Sequence, residues 1–396
     1  MQLAQRLNSV SEPQTIKMAK LSRELKAKGI NIIDLSLGEP DFKTPEYICT
    51  AAINAINEGY TKYPPVVGVP ELLEAISTKL KRDNNLDYPA SQIIVSTGAK
   101  QSLYNAIMCL VDPGDEVIIP TPYWVTYSSQ VQLAGGIVKY IPCGIENEFK
   151  LTPEQLEAQI TVKTKLFIYS SPCNPTGSVY TREELAALAE VFKRHPQVVI
   201  ISDEIYEYID YTGRHESIAQ FEELKDRVVV VNGMSKGFAM TGWRLGYMAG
   251  PREIVQACER LQGQVTSGAN IIAERAAITA LLGDLAPTYK MVEAFKQRRD
   301  YVIGALKKMP GVKSNSPEGA FYAFPDISSF FGKSYGDHVI ANDSDMSMYL
   351  LNVAHVSTVC GSAFGNANCI RISFATSMAN LMEAMERVAA ALGKLI

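Results

Sequence analysis

Lys236 lies in the segment Asn232-Gly233-Met234-Ser235-Lys236-Gly237-Phe238-Ala239-Met240-Thr241-Gly242-Trp243-Arg244-Leu245-Gly246-Tyr247, just after the apolar run Val228–Val231. A lysine past the end of a buried strand sits at low dielectric, which favours the neutral amine, and a neutral amine can attack a carbonyl carbon. Arg244, eight residues on, supplies a cation that can fix an anionic group near that amine. Gly98-Ala99-Lys100 precedes the helical run Gln101–Ala106 and would aim backbone N–H groups and a helix dipole at an anion such as phosphate. Asp203 follows another apolar run and, once buried, needs a cationic partner, of which a protonated pyridine nitrogen is one. Tyr206 follows in the same turn and can donate to a phenolic oxygen. A lysine able to form a Schiff base, a carboxylate for a pyridinium and a phosphate cup together describe pyridoxal 5'-phosphate.

These residues need elements to bring them together. Five short apolar runs read as strands: Gln92–Ser96, Glu116–Pro120, Lys165–Ser170, Val198–Ser202 and Val228–Val231. Unbroken apolar runs suit strands buried on both faces, hence a mostly parallel sheet covered by helices. Every run ends in a polar or special cluster: Ser96–Lys100, Pro120–Trp124, Ser171-Pro172-Cys173-Asn174-Pro175-Thr176-Gly177, Asp203–Tyr206 and Asn232–Lys236. Ligands of open α/β sheets bind beyond the carboxyl ends of the strands, so five such clusters on one edge make a site where one would be a loop.

Between the strands, Thr181-Arg182-Glu183-Glu184 and Thr152-Pro153-Glu154-Gln155 read as capped helix starts, and Gly68-Val69-Pro70-Glu71 opens another. Asn174-Pro175-Thr176-Gly177 reads as a turn, compatible with a cis X–Pro bond. The last hundred residues differ. A long helix is expected around Tyr289–Leu306, short segments at Gly319–Phe324 and Ile370–Phe374, and a final amphipathic helix from Ser377 to near Gly393. The first forty residues are too short to fold alone and are expected to pack with this part.

Composition sets limits on partners and compartment. A net charge of −4 without a basic stretch argues against nucleic acid or an anionic membrane. Seven scattered cysteines with no Cys-x-x-Cys pair suit a reducing compartment, and the four histidines show no metal-ligand spacing, so no metal is expected. Met1–Arg6 lacks the basic-then-apolar run of a signal peptide and no apolar segment is long enough to span a bilayer. The expected location is the cytoplasm.

The chain resembles the class I aminotransferases of the fold-type I pyridoxal-phosphate family, and most closely their bacterial aspartate aminotransferase subgroup. The similarity runs from Ser36-Leu37-Gly38-Glu39-Pro40-Asp41-Phe42 to Arg371-Ile372-Ser373-Phe374-Ala375-Thr376-Ser377. It rests on Ser-Lys with Arg eight residues later, Ser-Pro-x-Asn-Pro-Thr-Gly and Ser-Asp-Glu-Ile-Tyr, in family order. The fold it implies is α/β: a large domain with a mostly parallel seven-stranded sheet covered by helices, plus a smaller α+β domain from both termini. The corresponding boundaries are 1–45 for an N-terminal arm and part of the small domain, 46–290 for the large domain and 291–396 for the small C-terminal domain.

By this resemblance Lys236 holds the cofactor and moves a proton, Asp203 keeps the pyridine nitrogen protonated, and Tyr206 and Asn174 bond its phenolic oxygen. Trp124 stacks on the ring. Gly98, Ala99, the Lys100 backbone, Ser235 and Arg244 hold the phosphate. Many relatives place a serine three residues before the lysine; Gly233 stands there instead, so one phosphate hydroxyl is expected to be missing or replaced. Tyr63 matches a tyrosine that reaches the partner subunit's phosphate, which implies a homodimer with shared active sites. Arg371 would take the substrate α-carboxylate in a bidentate fork, with Asn174 and the Gly38 backbone beside it. Lys100 matches a lysine that contacts the distal carboxylate, so aspartate with 2-oxoglutarate is the expected pair of amino acid and 2-oxo acid. Alternatives are prephenate, aromatic or broad specificity, a carbon–sulfur lyase on the same fold, and a non-enzymatic ligand-binding domain.

Overall fold

The computed structural model describes residues 4–10 and 12–396. Residues 1–3 and 11, which belong to the expected N-terminal arm and in part to the Met1–Arg6 reading, lie outside the described residues. The centre is a seven-stranded sheet: β1 (Ile93–Ser96), β2 (Glu116–Thr121), β3 (Ile137–Pro142), β4 (Thr164–Ser170), β5 (Val199–Asp203), β6 (Val228–Gly233) and β7 (Gly246–Ala249). Their spatial order is β1-β7-β6-β5-β4-β2-β3. Only β7 opposes its neighbours, so the other six share a direction and open their carboxyl ends on one edge.

The five expected strands are present; β3 and β7 are additions. Ile137 at the start of β3 is 50% exposed and Tyr140 is 44% exposed, so this edge strand has no continuous apolar run to announce it. β7 is four residues long and sits in the tail of the Lys236 segment. Its reversal matters for the site: the pairing of Gly233 with Gly246 brings the chain back, just after Arg244, to the edge that Lys236 leaves.

The inner strands alternate between two apolar layers. Phe167, Ile200, Val228 and Val230 enter one, while Leu166, Ile168, Ile201, Val229 and Val231 enter the other. Burial on both faces is what a helix-covered sheet requires. Thr152 and Thr181 form the expected capping boxes with Gln155 and Glu184, and Pro70 stands in the first turn of Pro70–Asn84.

A third apolar cluster joins the chain ends. Ile33 and Leu35 pack with Phe295, Phe321, Tyr322, Ile370, Ile372 and the helix Met378–Leu392. Ile33–Asp34 pairs in parallel with Val356–Ser357, and Ile370–Ser373 lies between Val359–Cys360 and Tyr322–Ala323. The last helix takes Ser377 as its N-cap and Gly393 as its C-cap, as expected. The long helix runs Ala286–Leu306.

Candidate active site

A cavity of about 390 Å³ opens at the carboxyl edge of the sheet. It is lined by Gly38, Ala99, Lys100, Trp124, Asn174, Asp203, Tyr206, Ser235, Lys236, Arg244 and Arg371. Two expected residues are not in its wall. Gly98 lies immediately behind, at the start of the helix Ala99–Leu110, and Tyr63 is 92% exposed outside.

Lys236 donates from Nζ to the Gly38 carbonyl. Burial pulls its pKa down to about 8; Glu39 opposes this, Arg371 and Arg244 reinforce it, and Asp203 opposes it. Asp203 closes β5 and is 3% exposed. Its Oδ2 accepts from the Tyr127 hydroxyl at 2.6 Å and its Oδ1 from the Ile205 N–H at 3.3 Å. Burial outweighs both bonds and pushes its pKa up to about 6. A buried carboxylate in this condition favours a cation entering the cavity.

The opposite charge logic holds at the helix start. Gly98 has φ +81°, and a Cβ there would stand 2.6 Å from Arg244 Nη2. The guanidinium thus lies against the N-terminus of Ala99–Leu110, where the helix dipole is also positive. Two positive features in contact call for an anion between them. Two further glycines permit this approach. A Cβ on Gly246 would sit 2.2 Å from the Ala99 nitrogen, and one on Gly233 would sit 2.8 Å from Gly246 Cα and 2.9 Å from the Leu245 carbonyl oxygen. Position 233 therefore has no room for a serine side chain. Ser235, buried in the wall, is the serine available instead.

Facing Lys236, Arg371 is 2% exposed. Its Nη1 donates to Asn174 Oδ1 at 3.0 Å and its Nη2 to the Ser36 carbonyl at 2.6 Å. Nε is buried without a partner, so the guanidinium keeps uncommitted N–H bonds. The rings of Tyr322 and Phe364 lie 4.5 and 4.9 Å from Cζ. Asn174 accepts from Arg371 through Oδ1, which leaves its NH₂ group as donor to anything else in the cavity. Its peptide bond to Pro175 is cis, as are Thr121–Pro122 and Ser171–Pro172.

Trp124 lies beneath Lys100, whose Nζ is 5.0 Å from the ring centroid. Burial, helped by Arg244, lowers the Lys100 pKa.

Tyr127 and Tyr322 were not expected in the site. Tyr127 lies one helical turn beyond Trp124 and meets it edge-on at 5.6 Å, a spacing that could have signalled it. The Tyr322 hydroxyl is 2.7 Å from that of Tyr206, and a Cβ on Gly38 would come within 2.8 Å of it. Nothing local marks Tyr322; its pairing with Ser373, two residues from Arg371, places it.

Sequence spacing suggested no metal ligands, yet Glu204, Glu207 and His215 bring ligand-type atoms within 4.8 Å of one another. Both carboxylates are already engaged, and His215 Nδ1 is the one ligand-type atom of the three residues that is buried without a partner. Glu207 is paired with Lys79 and accepts from Asn84, while Glu204 accepts from His215, Ser202 and Ser217. Among the described residues this group is a buried ion-pair network beneath the Asp203–Tyr206 turn.

Residues 30–388 match the model of the family described as aminotransferase class I and II. The chain belongs to this family. It is 49% identical over 395 residues to the aspartate/prephenate aminotransferase of Cereibacter sphaeroides, covering 98% of each chain. The crystal structure of the aspartate aminotransferase from Rhizobium meliloti superposes with a TM-score of 0.97 at 44% identity, over 100% of both chains. The aspartate aminotransferase from Thermus thermophilus, solved with maleate, superposes with a TM-score of 0.93 at 37% identity, covering 99% of this chain and 100% of that one. The family and these neighbours bear out the seven-stranded α/β architecture and the aminotransferase resemblance.

Proposed function

We propose that this aminotransferase exchanges the amino group of aspartate with 2-oxoglutarate, using pyridoxal 5'-phosphate, as a cytoplasmic homodimer. The observation that carries the reading is the pairing, in one cavity, of a buried carboxylate raised to about 6 with an amine lowered to about 8. The cavity residues fit the cofactor: Asp203 awaits a cation, the Gly98–Lys100 turn and Arg244 await an anion, and Trp124 offers a flat ring between them. When bound, the cofactor supplies a sink for the electrons left at the substrate's Cα.

The chain's own residues do the rest. Asp203 holds a proton on the ring nitrogen. Tyr206 and the Asn174 NH₂ donate to the phenolic oxygen. Ala99 and Lys100 through their N–H groups, with Gly98, Ser235 and Arg244, hold the phosphate. Lys236 Nζ, neutral in part near neutrality, takes the proton from Cα and returns it. Arg371 fixes the α-carboxylate with the N–H bonds it has left, beside Asn174 and Gly38. Lys100 stands at the mouth as cation for a distal carboxylate.

Tyr63 supports the dimer. It is 92% exposed and serves the phosphate of the partner's site in this reading. The large domain is taken as 46–290, with 1–45 and 291–396 forming the arm and small domain; the helix Ala286–Leu306 crosses between them. For the compartment, no helix among the described residues is long and apolar enough to cross a membrane.

A second substrate reading, prephenate, is favoured by the name of the Cereibacter relative. The test is a half-reaction. Aspartate alone should convert the bound cofactor stoichiometrically to its amine form and release one equivalent of oxaloacetate. Continuous release of pyruvate or ammonia would overturn transamination in favour of elimination, and return of the amine form to the aldehyde form by prephenate but not by 2-oxoglutarate would move the amino acceptor to the second reading.

A further inference from the structure

We infer that Gln262 is a positioning residue that ties the Tyr63–Val66 segment to the phosphate-binding turn Ser96–Lys100, so that one side chain sets both a subunit's own cup and the arm it lends its partner. The inference rests on the roles proposed above for that turn and for Tyr63.

Gln262 belongs to the helix Arg252–Val265 and is fully buried. Its Nε2 donates to the carbonyls of Val66 at 2.7 Å and Val95 at 2.8 Å. Its Oε1 accepts from Ser96 Oγ at 2.8 Å and Asn105 Nδ2 at 2.9 Å. Two donors and two lone pairs are all that a primary amide offers, so its capacity is used in full. The four partners come from the segment after Tyr63, from β1 and from the helix that begins in the cup.

The surroundings repeat the arrangement. β1 is one of the two outer strands of the sheet, and the Val67 carbonyl accepts from the Val95 N–H at 2.9 Å along its free side. Thr266 Oγ1 accepts from Gln101 Nε2, whose Oε1 in turn accepts from the Thr97 N–H. Glu274 Oε2 accepts from the Val69 N–H at 2.9 Å, pinning the far end of the segment. From Tyr63 to Val69 the chain has no helix or strand of its own, so its position comes from these bonds. A carboxylate at 262 would set an acceptor against the Val66 and Val95 carbonyls.

The consequence is coupling between Tyr63 and Gln262, although neither bonds the other. Distant sites without a shared partner normally contribute independently. Pyridoxal phosphate binding to the apo dimer, followed by its absorbance, is measured for the wild type, Tyr63→Phe, Gln262→Glu and the double variant. Tyr63→Phe should weaken binding about tenfold in the wild type, as for one hydrogen bond to a charged group. In Gln262→Glu at pH 8 the same change should cost less than about twofold, and the coupling should return in part as the pH falls and the new carboxyl group regains a proton to donate. An equal tenfold loss in both backgrounds overturns the inference. If Tyr63→Phe has no effect even in the wild type, the shared-site reading fails and takes this inference with it. Should Gln262→Glu not fold, Ser96→Ala removes one of the four bonds; reduced coupling there supports the inference and full additivity sinks it.

Discussion

At the sheet edge, Asp203 ends β5 and Lys236 follows β6, strands that are hydrogen-bonded along both sides within the seven-stranded sheet. Across the cavity, Arg371 lies on a four-residue strand flanked by two-residue ones, and its Ser36 partner comes from a segment 335 residues away. That segment pairs with Val356–Ser357, with Ile33 N–H donating to His355 and Leu35 N–H to Ser357, and it accepts from Ser373 N–H at Leu35. The first wall is stiff because a wide sheet dictates it. The second is an assembly of both chain ends, joined by short strands and side-chain packing. A stiff wall suits a group that stays bound between turnovers, and an assembled wall suits a substrate that arrives and leaves.

The division is broken or sharpened by removing one group from each wall. Lys236→Ala should reduce kcat by at least about 10⁴, since the proton at Cα loses its acceptor. The variant should still bind cofactor non-covalently, because the Asp203 and phosphate contacts remain; an absorbance titration checks this. On the opposite wall, Arg371→Lys should lower kcat/KM for aspartate by about 10²–10³, with much of the loss in KM, because lysine cannot reproduce the planar fork. A variant at 371 that lost cofactor as well would show that the two walls are not separate.

The same contrast decides what was legible in the sequence. Asp203, Asn174, Lys236 and the Gly98–Lys100 turn each follow an apolar run, so the chain announces them locally, and the sheet direction brings them together. The capping boxes at Thr152 and Thr181 were legible for the same reason. Tyr322 was not: its place depends on pairing with Ser373 and on the open space at Gly38, neither visible within one segment. β3 was hidden because an edge strand with exposed Ile137 and Tyr140 has no unbroken apolar run. Arg371 was legible only through resemblance, since nothing next to it in the sequence distinguishes it from a surface arginine.

Tyr127 offers a finer cut within the stiff wall. Its hydroxyl favours the charged form of Asp203, so Tyr127→Phe should raise the Asp203 pKa further above about 6. The pH below which the apoprotein loses affinity for the cofactor should move toward neutrality by about one pH unit, the worth of one hydrogen bond to a charge. The sign for the apoprotein follows from the raised value. The stability allowed by a neutral Asp203 is fully present at low pH and is lost as the pH rises through about 6. The Tm of the Asp203→Asn apoprotein should therefore gain on that of the wild type as the pH rises through this range. A pH-independent difference between the two would mean that Asp203 already has a cationic partner in the apoprotein.

Lys100 belongs to neither wall fully, and its expected effect is the smallest. It lies in the first turn of the helix proposed to cup the phosphate, but its amino group lies over Trp124 at the mouth, where burial and Arg244 weaken its hold on a proton. An anion arriving there is favoured by two cations at once, which is the arrangement a second substrate carboxylate would use. Lys100→Ala should lower kcat/KM about fivefold for aspartate and less than about twofold for alanine, which has no distal charge. The aspartate preference should also shrink with added salt in the wild type, because Lys100 is only partly shielded and keeps an exposed face. Equal losses for both donors would assign the Lys100 side chain to the phosphate, and with it to the stiff wall.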